Sequence, residues 1–200
     1  MISYNKSKTI LKRSVIKLGE EFINTNKCLN RVTSKDIYVN SYYPSGNNAA
    51  FDGYAIKSSD TLRLDKKIHK RFKIIGSIAA GGKPIKKKIK KFETVEIMTG
   101  ALIPKSFDTI IPIEQINFYP NKKNARYVLL NRKILKFQHV RFKGSDYKKG
   151  DLLISKGTIL QSNHILALKT LGIKKIKVKK KPNILFFSTG NEITNKDKIS

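Results

Sequence analysis

Between Phe72 and Phe142 the chain reads FKIIGSIAAGG (72–82), TVEIMTG (94–100), DTIIPIEQINF (108–118), RYVLLNRKIL (126–135) and HVRF (139–142). Each run is short, rich in β-branched residues and bounded by Gly, Pro or Asn, which is how strands separated by tight connections read. Five such runs predict a β-rich unit, barrel-like or a folded sheet, with Gly81-Gly82 and Pro120-Asn121 supplying turns.

Outward from this stretch the pattern changes on both sides. Asp36-Ile-Tyr-Val39 predicts a short strand, followed by the turn-rich Pro44-Ser-Gly-Asn-Asn48. Further back, Leu11, Val15, Leu18 and Phe22 step by four, three and four, which predicts one face of a helix from Ile10 to Phe22. On the other side, LLISKGTIL (152–160) predicts a strand pair around Lys156-Gly157. NHILALKTL (163–171) predicts a helix capped by Ser162 and closed by Gly172, because Gly enters the left-handed conformation without a Cβ clash. IKKIKV (173–178) reads as a strand and Lys181-Pro182 as a hinge.

The run NILFFSTGNEI (183–193) is continuously apolar up to Ser188-Thr-Gly190, as suits a parallel strand buried on both faces. Only 18 residues follow Pro182, too few for the sheet that such a strand needs, so a further domain is expected to begin there. The expected fold class is therefore α+β and multidomain. A helical and mixed segment in two parts (1–40 and 144–181) would carry an inserted β-rich, barrel-like domain (41–143). Residues 182–200 would be the truncated start of an α/β domain.

Charge bounds the choice of partners. Of 200 residues, 42 are Lys or Arg and 14 are Asp or Glu, a formal charge of +28 whose field favours anionic ligands. The basic runs KKIHKRFK (66–73), KPIKKKIKK (83–91) and KKIKVKKKP (174–182) are mostly Lys. Aromatic interleaving is limited to Phe72 and Phe92, and neither a Cys/His zinc pattern nor an RNA-recognition signature is present. Lysine enrichment on solvated faces therefore outweighs dedicated nucleic-acid binding. One cysteine, Cys28, allows no intrachain disulfide, and a reducing, cytoplasmic location is the expectation. No apolar run is long enough to span a membrane, so no membrane partner is expected.

Three clusters carry residues suited to chemistry. Asn47-Asn-Ala-Ala-Phe-Asp-Gly-Tyr-Ala-Ile56 holds Asp52 in what is otherwise an ordinary Asp-Gly turn. Glu96-Ile-Met-Thr-Gly-Ala101, followed by Asp108-Thr-Ile-Ile-Pro-Ile-Glu114, places Thr99 at a strand end. There a hydroxyl and neighbouring N–H groups could meet an anion, although a plain strand-end turn is the commoner reason for such a sequence. Ser188-Thr-Gly-Asn-Glu192 follows the apolar run, where ligands of open α/β sheets sit. Its small residues would admit a phosphate, and Glu192 offers a hard oxygen to Mg²⁺.

Taken in order, with Val140-Arg-Phe-Lys-Gly-Ser-Asp146-Tyr-Lys-Lys-Gly-Asp151 and Leu171-Gly-Ile173 between the second and third, the clusters closely resemble the molybdopterin molybdotransferase family, which includes MoeA and the gephyrin E-domain. Asp-Gly-Tyr-Ala (52–55), Ile-Ala-Ala-Gly (78–81), Ile-Met-Thr-Gly-Ala (97–101) and Ser-Thr-Gly-Asn-Glu (188–192) carry the likeness. It runs from about residue 8 to 193 and matches roughly the first half of a family member. The resemblance implies an enzyme of molybdenum cofactor biosynthesis that inserts molybdate into adenylylated molybdopterin and releases AMP, assisted by Mg²⁺. It implies a homodimer whose site lies between the α/β domain of one subunit and the β-rich domain of the other. By position, Asp52, Thr99, Asp146 and Glu192 would be the catalytic set, Glu192 the metal ligand, and Ser188, Thr189 and Gly190 the pterin-binding loop.

One departure is local: Ala49-Ala-Phe51 stands where the family usually has Ser-Ala-Met, which removes a hydroxyl and adds a ring. The other is extent. Because the later α/β motifs are missing, the 200 residues alone are expected to be inactive, with a separate polypeptide as one possible source of the missing domain. A non-catalytic dimerisation or scaffold module, and a basic nucleic-acid-binding protein, are the alternatives.

Overall fold

The computed structural model describes residues 2–14, 16–83, 85, 88–185 and 187. Among these residues two α-helices, α1 (Tyr4–Arg13) and α2 (Ser162–Thr170), accompany twelve short strands. The strands are β1 (Glu20–Asn24), β2 (Ile37–Tyr38), β3 (Asn48–Ala49), β4 (Gly53–Ile56), β5 (Lys70–Ile78) and β6 (Glu93–Ile97). They continue with β7 (Thr109–Pro112), β8 (Asn117–Tyr119), β9 (Tyr127–Leu130), β10 (Val140–Arg141), β11 (Leu152–Ile154) and β12 (Lys175–Lys179). The chain divides into two compact units, residues 38–151 and residues 1–37 with 152–200. The boundaries expected from the sequence, 40/41 and 143/144, thus stand beside observed ones at 37/38 and 151/152. Asp146 consequently belongs to the same unit as Asp52 and Thr99.

The 38–151 unit is built on a six-stranded mixed sheet in the order β7-β4-β6-β5-β9-β8. Only the β5–β6 pair is parallel. β7 and β8 lie at opposite edges, yet only residues 113–116 join them. Laid flat, six strands would separate those edges by about 24 Å. The five residue steps from Pro112 to Asn117 reach at most about 18 Å. The sheet must therefore curl. No ladder joins β7 to β8 among the described residues, so the barrel-like expectation is corrected to a curled open sheet. Residues 135–138 run beside β7 instead: Ile110 donates to the Gln138 carbonyl and Phe137 to the Asp108 carbonyl, each at 3.0 Å.

Curling buries both faces of the central strands. In β4, Tyr54 and Ile56 enter one apolar cluster with Phe72, Ile111 and Val128, whereas Ala55 enters a second with Ile78, Val95, Ile97 and Ile110. This is the period-two alternation of a strand with an apolar layer on each side. Gly53 opens β4 because nothing larger fits: a Cβ there would lie 2.0 Å from the Ile111 carbonyl oxygen.

In the other unit, β1 and β12 pair antiparallel, from Glu20↔Lys179 to Asn24↔Lys175. The helix expected over 10–22 is corrected: α1 starts earlier and ends at Arg13, and Phe22 belongs to β1. Strand pairing overrides the helical spacing here, since β12 offers Glu20–Asn24 a ladder and Lys177 and Lys179 offer Glu20 two ion pairs, at 2.9 and 3.1 Å. Helix α2 forms as expected, although its N-cap is Gln161, whose own N–H donates to His164 Nδ1 at 3.0 Å. It closes at Gly172, where φ is +68°. The strand pair expected around Lys156-Gly157 is only half present: β11 pairs with β2, while Ile159 makes a single bridge to Val32. Leu168 packs with Cys28, Ile154, Leu160, Ile176 and Val178. Residues 182–185 form no strand, and Phe186 lies outside the described residues. No helix among the described residues is long and apolar enough to cross a membrane.

Candidate functional site

Asp52 sits on the exposed turn between β3 and β4, and Thr99 on the turn that leaves β6. Because β4 and β6 are paired, with Gly53 opposite Ile97, the two turns come together at one end of the sheet. Thr99 closes the gap: its N–H and its hydroxyl both donate to Asp52 Oδ1, at 2.6 and 2.7 Å. These two bonds hold the Asp52 carboxyl below its ordinary range, the hydroxyl contributing most, because they favour the charged form. The Asp52 carbonyl accepts from Ile113 N–H at 3.0 Å, which fixes the backbone of the turn.

The same geometry corrects the anion-meeting role considered for the 99–100 turn. Thr99 N–H is engaged by Asp52, and Gly100 N–H donates to the Ala49 carbonyl at 2.9 Å. The product is an anchored carboxylate, not a nest of free donors.

Asp146 lies on the loop after β10. Arg141 forms an ion pair with its Oδ2, and the Ser145 hydroxyl donates to Oδ1 at 3.0 Å. Asp146 N–H donates to the Tyr43 carbonyl at 3.1 Å, and the Arg141 guanidinium lies 5.9 Å from the Tyr43 ring centroid. Gly144 makes this loop possible, since its φ is +70° and a Cβ would meet Tyr42 Cδ1 at 2.6 Å.

What joins the two acids is β3. Asn48 pairs with Arg141 across the β3–β10 ladder, and its side-chain N–H donates to the Gly100 carbonyl at 3.0 Å. The Asn47 side chain accepts from Lys143 N–H at 3.0 Å. A continuous path thus runs from Asp52 through Thr99, Gly100, Asn48 and Arg141 to Asp146. Asn47 and Asn48 stand in the Asn47–Ile56 cluster but, like Arg141, carry no assigned role from the sequence. Two adjacent Asn residues ahead of Asp-Gly are the available signal, since Asn side chains readily pair with backbone groups of neighbouring turns. Phe51, the departure from the family pattern, packs edge-on against His139 with centroids 5.0 Å apart, so the added ring has a partner. Ser188, Thr189, Gly190 and Glu192 lie outside the described residues.

A Mg²⁺ ion commonly takes one or two carboxylates and completes its shell with water and substrate phosphate. Asp52 fits that demand, because among the described residues its Oδ2 accepts no hydrogen bond and it faces solvent. Asp146 fits less well, with both oxygens already engaged. No group of three or more His, Cys, Asp or Glu suited to a metal occurs among the described residues.

The curled mixed sheet with few helices is a fold that comparison with known proteins makes specific. Residues 2–172 match the family described as the MoeA N-terminal region (domain I and II), and the chain belongs to that family. It is 31% identical over 180 residues to the molybdopterin molybdenumtransferase of Bacillus subtilis, covering 90% of this chain and 41% of that protein. A Staphylococcus aureus protein of the same name is 30% identical over 167 residues, covering 84% and 38%. Among solved structures, a molybdopterin biosynthesis MoeA protein from Pyrococcus horikoshii superposes with a TM-score of 0.76 at 32% identity, over 90% of this chain and 45% of that one. The chain therefore spans about two fifths of the length of the curated relatives it matches.

Proposed function

We propose that this chain supplies the amino-terminal half of a molybdopterin molybdotransferase site, in which molybdate enters adenylylated molybdopterin and AMP leaves. One observation carries the reading: Asp52 is an exposed carboxylate whose pKa is lowered and whose orientation is fixed by both donors of Thr99, in the segment where the resemblance implies a functional acid. In this proposal Asp52 turns its free oxygen toward the phosphate or metal side of the substrate. Thr99 is a positioning residue that acts through Asp52. Asp146, locked by Arg141 and Ser145, shapes the rim instead of ligating. A Mg²⁺ ion held by Asp52 would neutralise phosphate charge, and the resemblance implies a metal ligand of its own at Glu192.

The wider arrangement belongs to the same proposal. A helical and mixed segment carries the β-rich unit, an α/β domain begins after Pro182, and two subunits pair so that each β-rich unit meets its partner's α/β domain. The charge of +28 supports a site for anionic substrates, since such a field raises their local concentration. The single cysteine supports a reducing, cytoplasmic setting.

The test is a chimera in which residues 2–181 replace the matching segment of the Bacillus subtilis relative. AMP release from adenylylated molybdopterin is measured on adding molybdate. The chimera is expected to turn over, and Asp52→Asn to lower the rate by at least about tenfold, the size of losing one transition-state contact. A folded but inactive chimera, or an Asp52→Asn chimera at full rate, would overturn the proposal. A non-catalytic scaffold would give the second result.

A further inference from the structure

A concave feature lies in the 38–151 unit, on residues that do not include Asp52, Thr99, Arg141 or Asp146. It is an open cleft of about 1110 Å³. Leu102, Phe107 and Phe137 form apolar walls, and Leu102 and Phe137 are exposed to solvent. Lys57, Lys105 and Lys136 stand around them. The Lys136 ammonium lies 4.8 Å from the Phe137 ring centroid, so the charge and the apolar surface are adjacent.

The charge in this cleft is not balanced from within. Among the described residues Asp108 is the only acid lining it, and both of its oxygens are engaged. Oδ1 accepts from Ser58 N–H at 2.7 Å and Oδ2 from the Ser58 hydroxyl at 2.9 Å. Lys57 donates to the Ile89 carbonyl at 3.0 Å, a neutral acceptor that leaves its charge in place. Cationic groups over exposed aromatic and aliphatic surface complement one kind of ligand, an apolar body that ends in a negative group. A second copy of this chain suits the cleft poorly, because it brings the same excess of 42 cations over 14 acids.

We propose that this cleft binds a small amphipathic anion, a carboxylate, sulfonate or phosphate on an aromatic or aliphatic body. Lys105 and Lys136 take the charge while Leu102 and Phe137 cover the body. The cleft adjoins the Asp52 path, since Asn47 lines it and Leu102 bridges to Asn48, but its test reads ligand binding and not AMP release, so it can fail separately from the transferase reading.

The test uses two fluorescent probes with one ring system, 1-anilinonaphthalene-8-sulfonate and its uncharged analogue N-phenyl-1-naphthylamine, titrated against the full chain. The sulfonate is expected to bind at least about tenfold more tightly, with its effect on backbone amide resonances confined to Leu102–Asp108 and residues 136–140. Lys105→Glu with Lys136→Glu is expected to erase that preference while leaving the neutral probe unchanged. An unchanged melting temperature and near-ultraviolet dichroism would show that the double variant is folded. Equal affinity for the two probes, an unaltered preference in the double variant, or resonance changes outside the cleft would each overturn the proposal. A double variant that fails to fold is replaced by Lys136→Gln alone, for which a severalfold loss of sulfonate affinity is expected and no loss overturns the proposal.

Discussion

Thr99 places its N–H and its hydroxyl on the same oxygen of Asp52, at 2.6 and 2.7 Å. A carboxylate so held has one oxygen fixed and one free, which is the useful state for an acid that must be ionised and aimed. The hydroxyl is the larger cause of the lowered Asp52 pKa, so Thr99→Val should raise it toward the ordinary 3.8 while keeping the backbone bond. A depressed carboxyl favours the folded state above its unfolded pKa, and that contribution is lost as pH falls through the folded value. The variant should therefore show a smaller loss of stability on acidification than the parent. Titrating the Asp52 side-chain carbon by NMR in both proteins checks this, and identical midpoints would remove the assigned role of the hydroxyl.

Gly53 is a test of the curled sheet itself. A methyl group there would be driven to 2.0 Å from the Ile111 carbonyl, so Gly53→Ala must part β4 from β7 or displace β7. Overpacking against backbone has no flexible partner to yield, and a loss of about 3 kcal/mol or more is expected. Urea denaturation of the two proteins measures it. Because Gly53 adjoins Asp52, the same variant should also loosen the Asp52–Thr99 pair.

The central sheet was legible in the sequence because its strands are short β-branched runs between turn residues, and β5 to β10 fall on the five runs quoted first. β4 was not legible, because Asp52-Gly53 reads as a turn and the four residues Gly53–Ile56 are too few to show an alternation of their own. A barrel-like or folded sheet was expected, but which strands form its open edges was not legible, since strand order is non-local. The Leu11–Phe22 spacing misled because four apolar positions fit a helix by chance, while the partner that decides Phe22 lies some 150 residues away in β12. In the site, the types Asp52, Thr99 and Asp146 were readable. Their linkage through Asn48 and Arg141 was not, because it depends on β3 pairing with β10 across the whole length of the sheet segment.

Glu20 makes the β1–β12 pair sensitive to acid. Hydrogen bonds from Lys177 and Lys179 bring its carboxyl from the ordinary 4.5 down to about 2. Its stabilising contribution is thus complete above about pH 4.5 and is lost as pH falls toward 2. Glu20→Gln should be less stable than the parent at neutral pH, with the difference shrinking through that window and vanishing at its lower end. Urea midpoints collected from neutral to strongly acidic pH measure the convergence. A constant gap would show that Glu20 acts through packing and not through its charge.

Residues 183–185 and 187 present a different problem. Ile184, Leu185 and Phe187 are exposed, Leu185 by 81% and Phe187 by 83%, on a segment that pairs with no strand among the described residues. An unpaired apolar segment with free backbone donors and acceptors is a template for association between chains. Deleting residues 183–200 should therefore raise the concentration at which the chain stays monodisperse. Leu185→Lys with Phe187→Lys should reproduce most of that gain without shortening the chain, which separates apolar exposure from length. Light scattering at increasing protein concentration measures both. If neither change shifts the onset of association, these side chains are covered in solution, and the α/β domain proposed to begin after Pro182 loses its main physical argument.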